Sequence, residues 1–95
     1  MVKVSIILTA FNEERYIKKA IESILNQTFT DFELIIVNDG STDSTLSIIN
    51  SFDDSRITVI SHENIGPGAS RNGAMEHVNG EYVMYLDGDD WYRED

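Results

Sequence analysis

Four short apolar runs, separated by segments with helical patterning, are the feature that most restricts the folds open to this chain. The runs occupy residues 4–8, 32–37, 57–60 and 81–86 and are rich in β-branched and aromatic side chains. Apolar runs of this length with few interruptions are typical of strands buried on both faces, as in parallel sheets. Strand and helix therefore alternate along the chain, and we expect an α/β fold with helices on both faces of a parallel sheet.

The segments between these runs carry the patterns of three helices. Asn12 is expected to cap the first helix, with Glu13 in its first turn, where negative charge complements the helix dipole. Ser41 is expected to cap the second helix. Pro67 suits the first turn of the third helix, and Gly80 is expected to end it. Right-handed crossovers between consecutive strands then favour the strand order 3-2-1-4.

The charge balance excludes several classes of partner. Seventeen Asp and Glu residues oppose seven Lys and Arg residues, which gives a net charge of −10 in 95 residues. Nucleic-acid backbones and anionic membrane surfaces are bound by clusters of basic residues, so we expect neither as a partner. The chain has no cysteine, no apolar run long enough to span a bilayer and no signal-peptide pattern. We therefore expect a cytoplasmic location, with peripheral attachment to the inner face of the membrane open to the full-length protein.

Three polar loops follow strands at the same expected edge of the sheet: residues 9–13, 38–41 and 87–90. Open α/β folds bind ligands outside the carboxyl ends of their strands, so these loops are expected to form the site. The first strand is followed by neither a Gly-x-Gly-x-x-Gly sequence nor a P-loop, which removes the fingerprints of dinucleotide and P-loop binding. The site must therefore hold its ligand by other means.

Asp87 and Asp89 flank Gly88 directly after the last apolar run. In extended backbone, residues two apart point the same way, so the two carboxylates would lie side by side. Magnesium and manganese prefer such oxygen ligands, together with substrate phosphates and water. The spacing thus indicates a divalent metal between an acidic protein and an anionic ligand. The alternative is an ordinary turn, for which Asp-Gly-Asp-Asp is also a common composition.

Five segments, taken in order, resemble the N-terminal, nucleotide-sugar-binding half of a family 2 glycosyltransferase with the GT-A fold. They are residues 4–14, 24–29, 33–43, 64–73 and 86–91. The resemblance covers essentially the whole chain. It implies a truncated Rossmann-like nucleotide-diphospho-sugar transferase fold of about four strands, in which residues 1–95 form one unit and the acceptor-binding half is absent.

The first loop carries four of the site residues that the resemblance implies. Thr9, Ala10, Phe11 and Glu13 match the family's loop that lines the base and ribose pocket. Many members have a proline-containing pair where Thr9 and Ala10 stand here. Read from the residues alone, Phe11 could equally pack in the core, and Glu13 could be a helix-dipole charge.

Four further site residues lie in later segments. Asp39 matches the acid that recognises the nucleobase edge, and Arg71 matches a basic position that approaches the nucleotide. Asp87 and Asp89 match the DxD motif, in which the first acid lies near the ribose and the second binds the metal on the diphosphate. Without the resemblance, Arg71 could be a solvated helix residue. His62 has no partner at ligand spacing, so a surface or structural role is favoured for it.

The resemblance implies an enzyme that transfers a sugar from a nucleoside-diphosphate-sugar donor to a hydroxyl of a saccharide or lipid-linked saccharide acceptor. It also implies Mn²⁺ or Mg²⁺ as cofactor and inversion at the anomeric carbon. The catalytic base of the family belongs to the acceptor-binding half, so the catalytic residues of this chain are unknown and we expect donor binding without appreciable transfer. The alternatives are a non-catalytic nucleotide- or metal-binding module and a purely structural α/β unit. A receiver-like domain is disfavoured. Its first strand should be followed by a pair of acids and its third by a single acid, whereas here these strands end in Thr9-Ala10 and Ser61-His62.

The predicted strand order leaves the fourth strand at a sheet edge. Its apolar residues 82–85 would then lack neighbours on one side. Exposed apolar edge strands pair with other chains, so we expect self-association through this edge.

Overall fold

A computed structural model describes residues 4–26 and 31–87 of the chain. Its strands and helices alternate as the apolar runs predict. In chain order they are β1 (Val4–Ala10), α1 (Ile17–Leu25), β2 (Phe32–Asp39), α2 (Thr45–Asn50), β3 (Ile57–His62), α3 (Pro67–Ala74), a 3₁₀ turn (Met75–His77) and β4 (Tyr82–Asp87).

The strands form one parallel four-stranded sheet in the order β3-β2-β1-β4. The predicted order 3-2-1-4 is therefore confirmed. β1 lies between β2 and β4, and its last residues pair with the last residues of both neighbours: Thr9 stands opposite Val37 on one side and Asp87 on the other. The carboxyl ends of the strands consequently meet at one edge.

Helices cover both faces of the sheet, as expected. The α1 and α2 side contains Ile6, Leu8, Leu34, Ile36, Ile17, Ile21 and Ile49. The α3 side contains Ile7, Ile35, Val37 and Ala74. Successive residues of β1 and β2 thus enter opposite core layers, which is why their apolar runs are almost uninterrupted. Full burial of each Ile, Leu or Val contributes roughly 1.5–3 kcal/mol.

Two predicted helix caps are wrong. α1 begins only at Ile17, and Asn12 lies outside it with a φ of 51°. The Asn12 side-chain oxygen instead accepts a hydrogen bond from the backbone N–H of Thr42, at 2.8 Å. Ser41 does not cap α2, which begins at Thr45, because its hydroxyl accepts a bond from the backbone N–H of Asn12. Contacts between the two loops have replaced capping within each helix.

Pro67 opens α3 as predicted, but Gly80 does not end it. The helix stops at Ala74 and is followed by the 3₁₀ turn, so Gly80 lies in the connection to β4. A Cβ atom at Gly80 would lie 2.6 Å from the backbone nitrogen of Ser5. This glycine is therefore needed for a close approach of two backbone segments.

An ion pair before β3 gives the protein a testable acid response. The Arg56 side chain and backbone N–H donate to Asp54 and lower the pKa of that carboxyl from 3.8 to about 2. Since the folded pKa lies below the unfolded one, the stabilisation is complete above about pH 5 and is lost as the pH falls towards the folded value. The pair is partly exposed, so we expect about 1 kcal/mol or less.

We therefore expect Asp54→Asn to be less stable than the wild type near neutral pH, with the difference vanishing near the folded pKa. Urea unfolding across an acid pH series measures it, and Asp53→Asn, at the exposed neighbouring position, is the matched control. A wild-type-to-variant difference that does not change with pH would contradict the assignment.

Among the helices within residues 4–26 and 31–87, none combines the length and apolar character needed to cross a bilayer.

Candidate functional site

The carboxyl edge of the sheet brings together most of the residues that the sequence singled out. Asp39 ends β2 and stands opposite His62, the last residue of β3. Thr9, near the end of β1, stands opposite Asp87, the last residue of β4. Alternation along the strands places Thr9 and Asp39 on the α3 side, with Ile7 and Val37. The site therefore lies on this edge, towards α3, beside the β1–β4 pair where the crossovers change face.

Asp39 is the most thoroughly anchored of the predicted site residues. Its side chain is buried, with 3% of the residue exposed. One carboxylate oxygen accepts the backbone N–H of Ile65 at 2.8 Å, and the other accepts that of Gly66 at 3.1 Å. The carboxylate therefore holds the β3–α3 loop against the end of β2. Two backbone amides occupy only part of its acceptor capacity of about four lone pairs.

The residue after Asp39 allows this contact. Gly40 has a φ of +72°, and a Cβ there would lie 2.4 Å from the backbone nitrogen of Asn64. The Asn64 side chain in turn donates to the Asp39 carbonyl oxygen at 3.2 Å. The Asp-Gly pair, which the sequence shows only as a turn, therefore joins two loops through their backbones.

His62 lies beside Asp39, a proximity that the sequence did not reveal. Its Nδ1 lies 3.5 Å from an Asp39 carboxylate oxygen and 2.7 Å from the Glu63 carbonyl oxygen. Because a carbonyl only accepts, Nδ1 carries a proton and donates to Glu63. The surface or structural role favoured for His62 stays a prediction, but the parallel register places its side chain next to Asp39, from the neighbouring strand.

The β1–α1 and β2–α2 loops are also tied together by hydrogen bonds. The backbone N–H of Glu13 donates to the Thr45 hydroxyl at 2.8 Å, and that of Glu14 donates to Asp43 at 3.4 Å. Asp43 also accepts the backbone N–H of Thr45 at 2.9 Å. Desolvation raises the pKa of Asp43, but these hydrogen bonds outweigh it and lower the pKa overall. The loop that carries Phe11 and Glu13 is thereby held in one conformation.

Two large apolar side chains are exposed beside the anchored carboxylate. Phe11, which follows β1, is 45% exposed, so the alternative that it packs in the core is wrong. Ile65 is 55% exposed although its own amide is bonded to the buried Asp39. Exposed apolar groups around a buried polar anchor are typical of pockets for flat, largely apolar ligands. No sequence pattern indicated Ile65, because its position depends on the bond between its amide and Asp39.

Thr9 and Ala10, the remaining first-loop residues, differ in the groups that they could present to a ligand. The Thr9 hydroxyl lies 3.0 Å from the Tyr85 hydroxyl, which joins β1 to β4 just below Asp87. The Ala10 methyl is buried in the α1-side core, so any contact from Ala10 to a ligand would come from its main chain.

Arg71 lies within α3, and the structure describes its backbone only. Asp89 lies outside the described residues.

Of the two acids predicted to hold a divalent metal, Asp87 lies among the described residues. Within 4–26 and 31–87, no three His, Asp or Glu side chains converge as a complete cluster would. Asp87, however, ends β4 at the ligand-binding edge. A pair of carboxylates with water and ligand phosphates is the donor set that Mg²⁺ usually takes, so a complete protein cage is not required.

Comparison with known proteins agrees with this geometry. Residues 5–95 match the sequence model described as Glycosyl transferase family 2. The chain is 40% identical over 95 residues to the glycosyltransferase GlyA of Streptococcus pneumoniae, covering 98% of this chain and 14% of that protein. It is 39% identical over 94 residues to the GalNAc(5)-diNAcBac-PP-undecaprenol β-1,3-glucosyltransferase of Campylobacter jejuni, covering 95% of this chain and 30% of that protein. The chain thus spans less than a third of either relative.

Solved structures with the same fold contain nucleotide ligands. Staphylococcus aureus TarS in complex with UDP-GlcNAc superimposes with a TM-score of 0.88 at 36% identity, over 95% of this chain and 27% of that one. The mannosyltransferase PcManGT of Pyrobaculum calidifontis, in complex with GDP-Man and Mn²⁺, gives a TM-score of 0.87 at 27% identity, over 95% of this chain and 28% of that one. The expected GT-A fold is confirmed.

Proposed function

This chain belongs to glycosyl transferase family 2, and from that membership we propose that it is the donor-binding part of a metal-dependent enzyme. The enzyme transfers a sugar from a nucleoside-diphosphate-sugar donor to an acceptor hydroxyl, with inversion at the anomeric carbon. The observation that carries the proposal is the meeting of Asp39, Thr9 and Asp87 at one edge of the sheet. The nucleotide ligands of the structural neighbours support it.

The base is proposed to bind at Asp39. Its carboxylate keeps acceptor capacity for an imide or amide N–H, since two backbone amides use only part of it. Phe11 and Ile65 offer apolar surface on the neighbouring loops, which suits the faces of a base. Thr9, Ala10 and the loop through Glu13 would line the ribose.

The diphosphate is proposed to bind at the end of β4. Asp87 and Asp89 would hold a divalent metal, which when bound supplies the positive charge that a protein of net charge −10 lacks. Arg71 is the candidate for a direct phosphate contact, because an Arg guanidinium forms charge-assisted bonds with phosphate oxygens. No residue of this chain is proposed as the catalytic base. The relative named for a lipid-linked substrate supports a saccharide or lipid-linked saccharide acceptor.

Calorimetry on the 95-residue chain tests the proposal. UDP, GDP and CDP are each titrated with and without MnCl₂. We expect at least one nucleotide to bind, more tightly with manganese than without it, and little sugar transfer from the matching sugar nucleotide. Absence of metal-dependent binding to all three would overturn the proposed site. Binding accompanied by robust transfer would contradict the expectation of donor binding without appreciable transfer.

A second expectation concerns self-association through β4, which is at the sheet edge in the described part of the chain. Tyr82 is 60% exposed and Val83 42%, on opposite faces of this strand. Pairing of two β4 edges would cover both. We expect sedimentation to detect dimers of the 95-residue chain across the micromolar range, and Val83→Lys to shift the population to monomer, because charge on an edge strand opposes pairing. Thr58→Lys, on the exposed surface of β3, is the control. A monomer at every concentration contradicts this expectation.

A further inference from the structure

Four residues at the amino end of the sheet, far along the strands from the proposed site, form one hydrogen-bonded group. We call Ser5, Glu33, Asn79 and Gly80 the Glu33 cluster. Glu33 accepts bonds from the Ser5 hydroxyl at 2.5 Å, from the Asn79 backbone N–H at 2.7 Å and from the Asn79 side chain at 3.2 Å. The Gly80 backbone N–H donates to the Ser5 hydroxyl at 2.8 Å. The cluster therefore ties β1 and β2 to the connection that leads into β4.

The cluster is tightly fitted at its centre. Ser5 is fully buried, and its hydroxyl both donates to Glu33 and accepts from Gly80. A Cβ at residue 80 would approach the Ser5 nitrogen to 2.6 Å, so only glycine permits this contact. Burial raises the pKa of Glu33, but the bonds from Ser5, Asn79 and Gly80 outweigh it and lower the pKa overall. The carboxylate is thus charged near neutral pH, and it holds the segment before β4 directly through Asn79 and indirectly through the Ser5 hydroxyl.

β4 needs such an anchor more than the other strands do. Residues 82–86 are apolar at every position, so both faces of the strand have the same character. Tyr82 and Val83, which point to opposite faces, are both exposed. A shift of the strand by one residue would exchange one apolar side chain for another on each face, and three of these five residues, Tyr82, Val83 and Met84, are exposed. Burial therefore selects the register of β4 only weakly.

The register of β4 decides where Asp87 stands. With Val83 opposite Ser5, Asp87 lies opposite Thr9, at the proposed site. A shift by one residue would place Leu86 or Gly88 opposite Thr9 and would turn position 87 to the other face of the sheet. Position 87 would then lie away from the face that carries Asp39.

We propose that Glu33 is a positioning residue that sets the register of β4 through Ser5 and Asn79 and so places Asp87 beside the nucleotide pocket. Its effect on ligand binding rests on the proposed function. Its effect on strand register does not, and the two can therefore be measured separately.

The test compares Glu33→Ala and the milder Glu33→Gln with the wild type. Glu22→Gln, an exposed acid on α1, gives the same loss of charge as a control. Solution NMR measures the short interproton distances between β1 and β4 around Thr9 and Asp87. Calorimetry measures the affinity for UDP with MnCl₂ and for uridine monophosphate without metal.

We expect the β1–β4 contacts to be lost, or joined by a second set, in Glu33→Ala and weakened in Glu33→Gln. We also expect the manganese-dependent UDP affinity to fall about tenfold while uridine monophosphate affinity changes little, since a one-residue shift of β4, about 3.3 Å, moves position 87 but leaves Asp39 in place. If Glu33→Ala does not fold, the β1–β4 contacts measured by NMR in Glu33→Gln test the inference instead. Unchanged contacts in a folded variant overturn the inference, as does an equal loss of both affinities. If the contacts change but the wild type binds no nucleotide, the register role stands and the proposed function fails.

Discussion

Asp89→Asn is expected to remove most of the manganese-dependent affinity for UDP while leaving the fold unchanged. Asparagine keeps the size of the side chain but loses the negative charge, and hard divalent cations depend on that charge in their oxygen ligands. We expect the affinity with MnCl₂ to fall roughly 100-fold, because loss of a direct ligand should cost at least as much as loss of a supporting group. Affinity without metal should change little, since the diphosphate then lacks its bridging ion.

Asp90→Asn is the matched control, because it removes one negative charge from the adjacent position. A similar fall in both variants would show that the effect is general acidity near the end of β4 rather than a specific ligand. Full metal-dependent affinity in Asp89→Asn would contradict the assignment. Circular dichroism of both variants verifies that the comparison is made between folded proteins.

Asp39→Ala is expected to have the largest effect on the protein as a whole. The change leaves the backbone amides of Ile65 and Gly66 without their acceptor, at a site that is 3% exposed. A fully buried orphaned donor costs about 1–3 kcal/mol, but the loop that carries these two amides is partly exposed, so the free energy of unfolding should fall by about 2–4 kcal/mol rather than the full sum. The β3–α3 loop should loosen, and nucleotide binding should be lost even where the chain stays folded.

Asp39→Asn separates the two roles of this residue. Its amide oxygen can still accept one backbone N–H, so stability should fall less than in the alanine variant. Its uncharged group offers a poorer acceptor to the base, so the loss of affinity should remain large. Urea unfolding and UDP calorimetry give the two quantities, with Asp53→Ala as an exposed control. Equal free energies of unfolding for Asp39→Ala and the wild type would mean that the bonds from Asp39 to the β3–α3 loop do not stabilise the fold.

The strand order and the edge that holds the site could be predicted because they depend on pattern. Continuous apolar runs indicate strands that are buried on both faces of the sheet. Because crossovers between parallel strands are right-handed, few strand orders are open to four such strands. Asp39 and Asp87 were placed at the same edge for this reason alone. Pro67 likewise opened its helix as predicted, because its missing N–H and fixed φ suit only the first turn.

The predictions that were wrong concern residues with more than one possible partner. Asn12 and Ser41 both suit a helix start, yet each bonds across to the other loop. The proximity of His62 to Asp39 was likewise invisible in the sequence, because it depends on the register of two strands. Short polar side chains can cap, turn or bridge at similar cost, so the nearest backbone in space decides among these roles.

The alternation of strands and helices, the sheet order and the family resemblance are all readable from the chain alone, because they follow from periodicity and from ordered motifs along it. The tertiary structure alone decided which side chains meet: Asp39 with the Ile65 and Gly66 amides, and Glu33 with Ser5 and Asn79. The physical reason is that hydrogen bonds act over about 3 Å and require a particular geometry. Partners 26 or 46 residues apart in the chain become neighbours only when the sheet has formed.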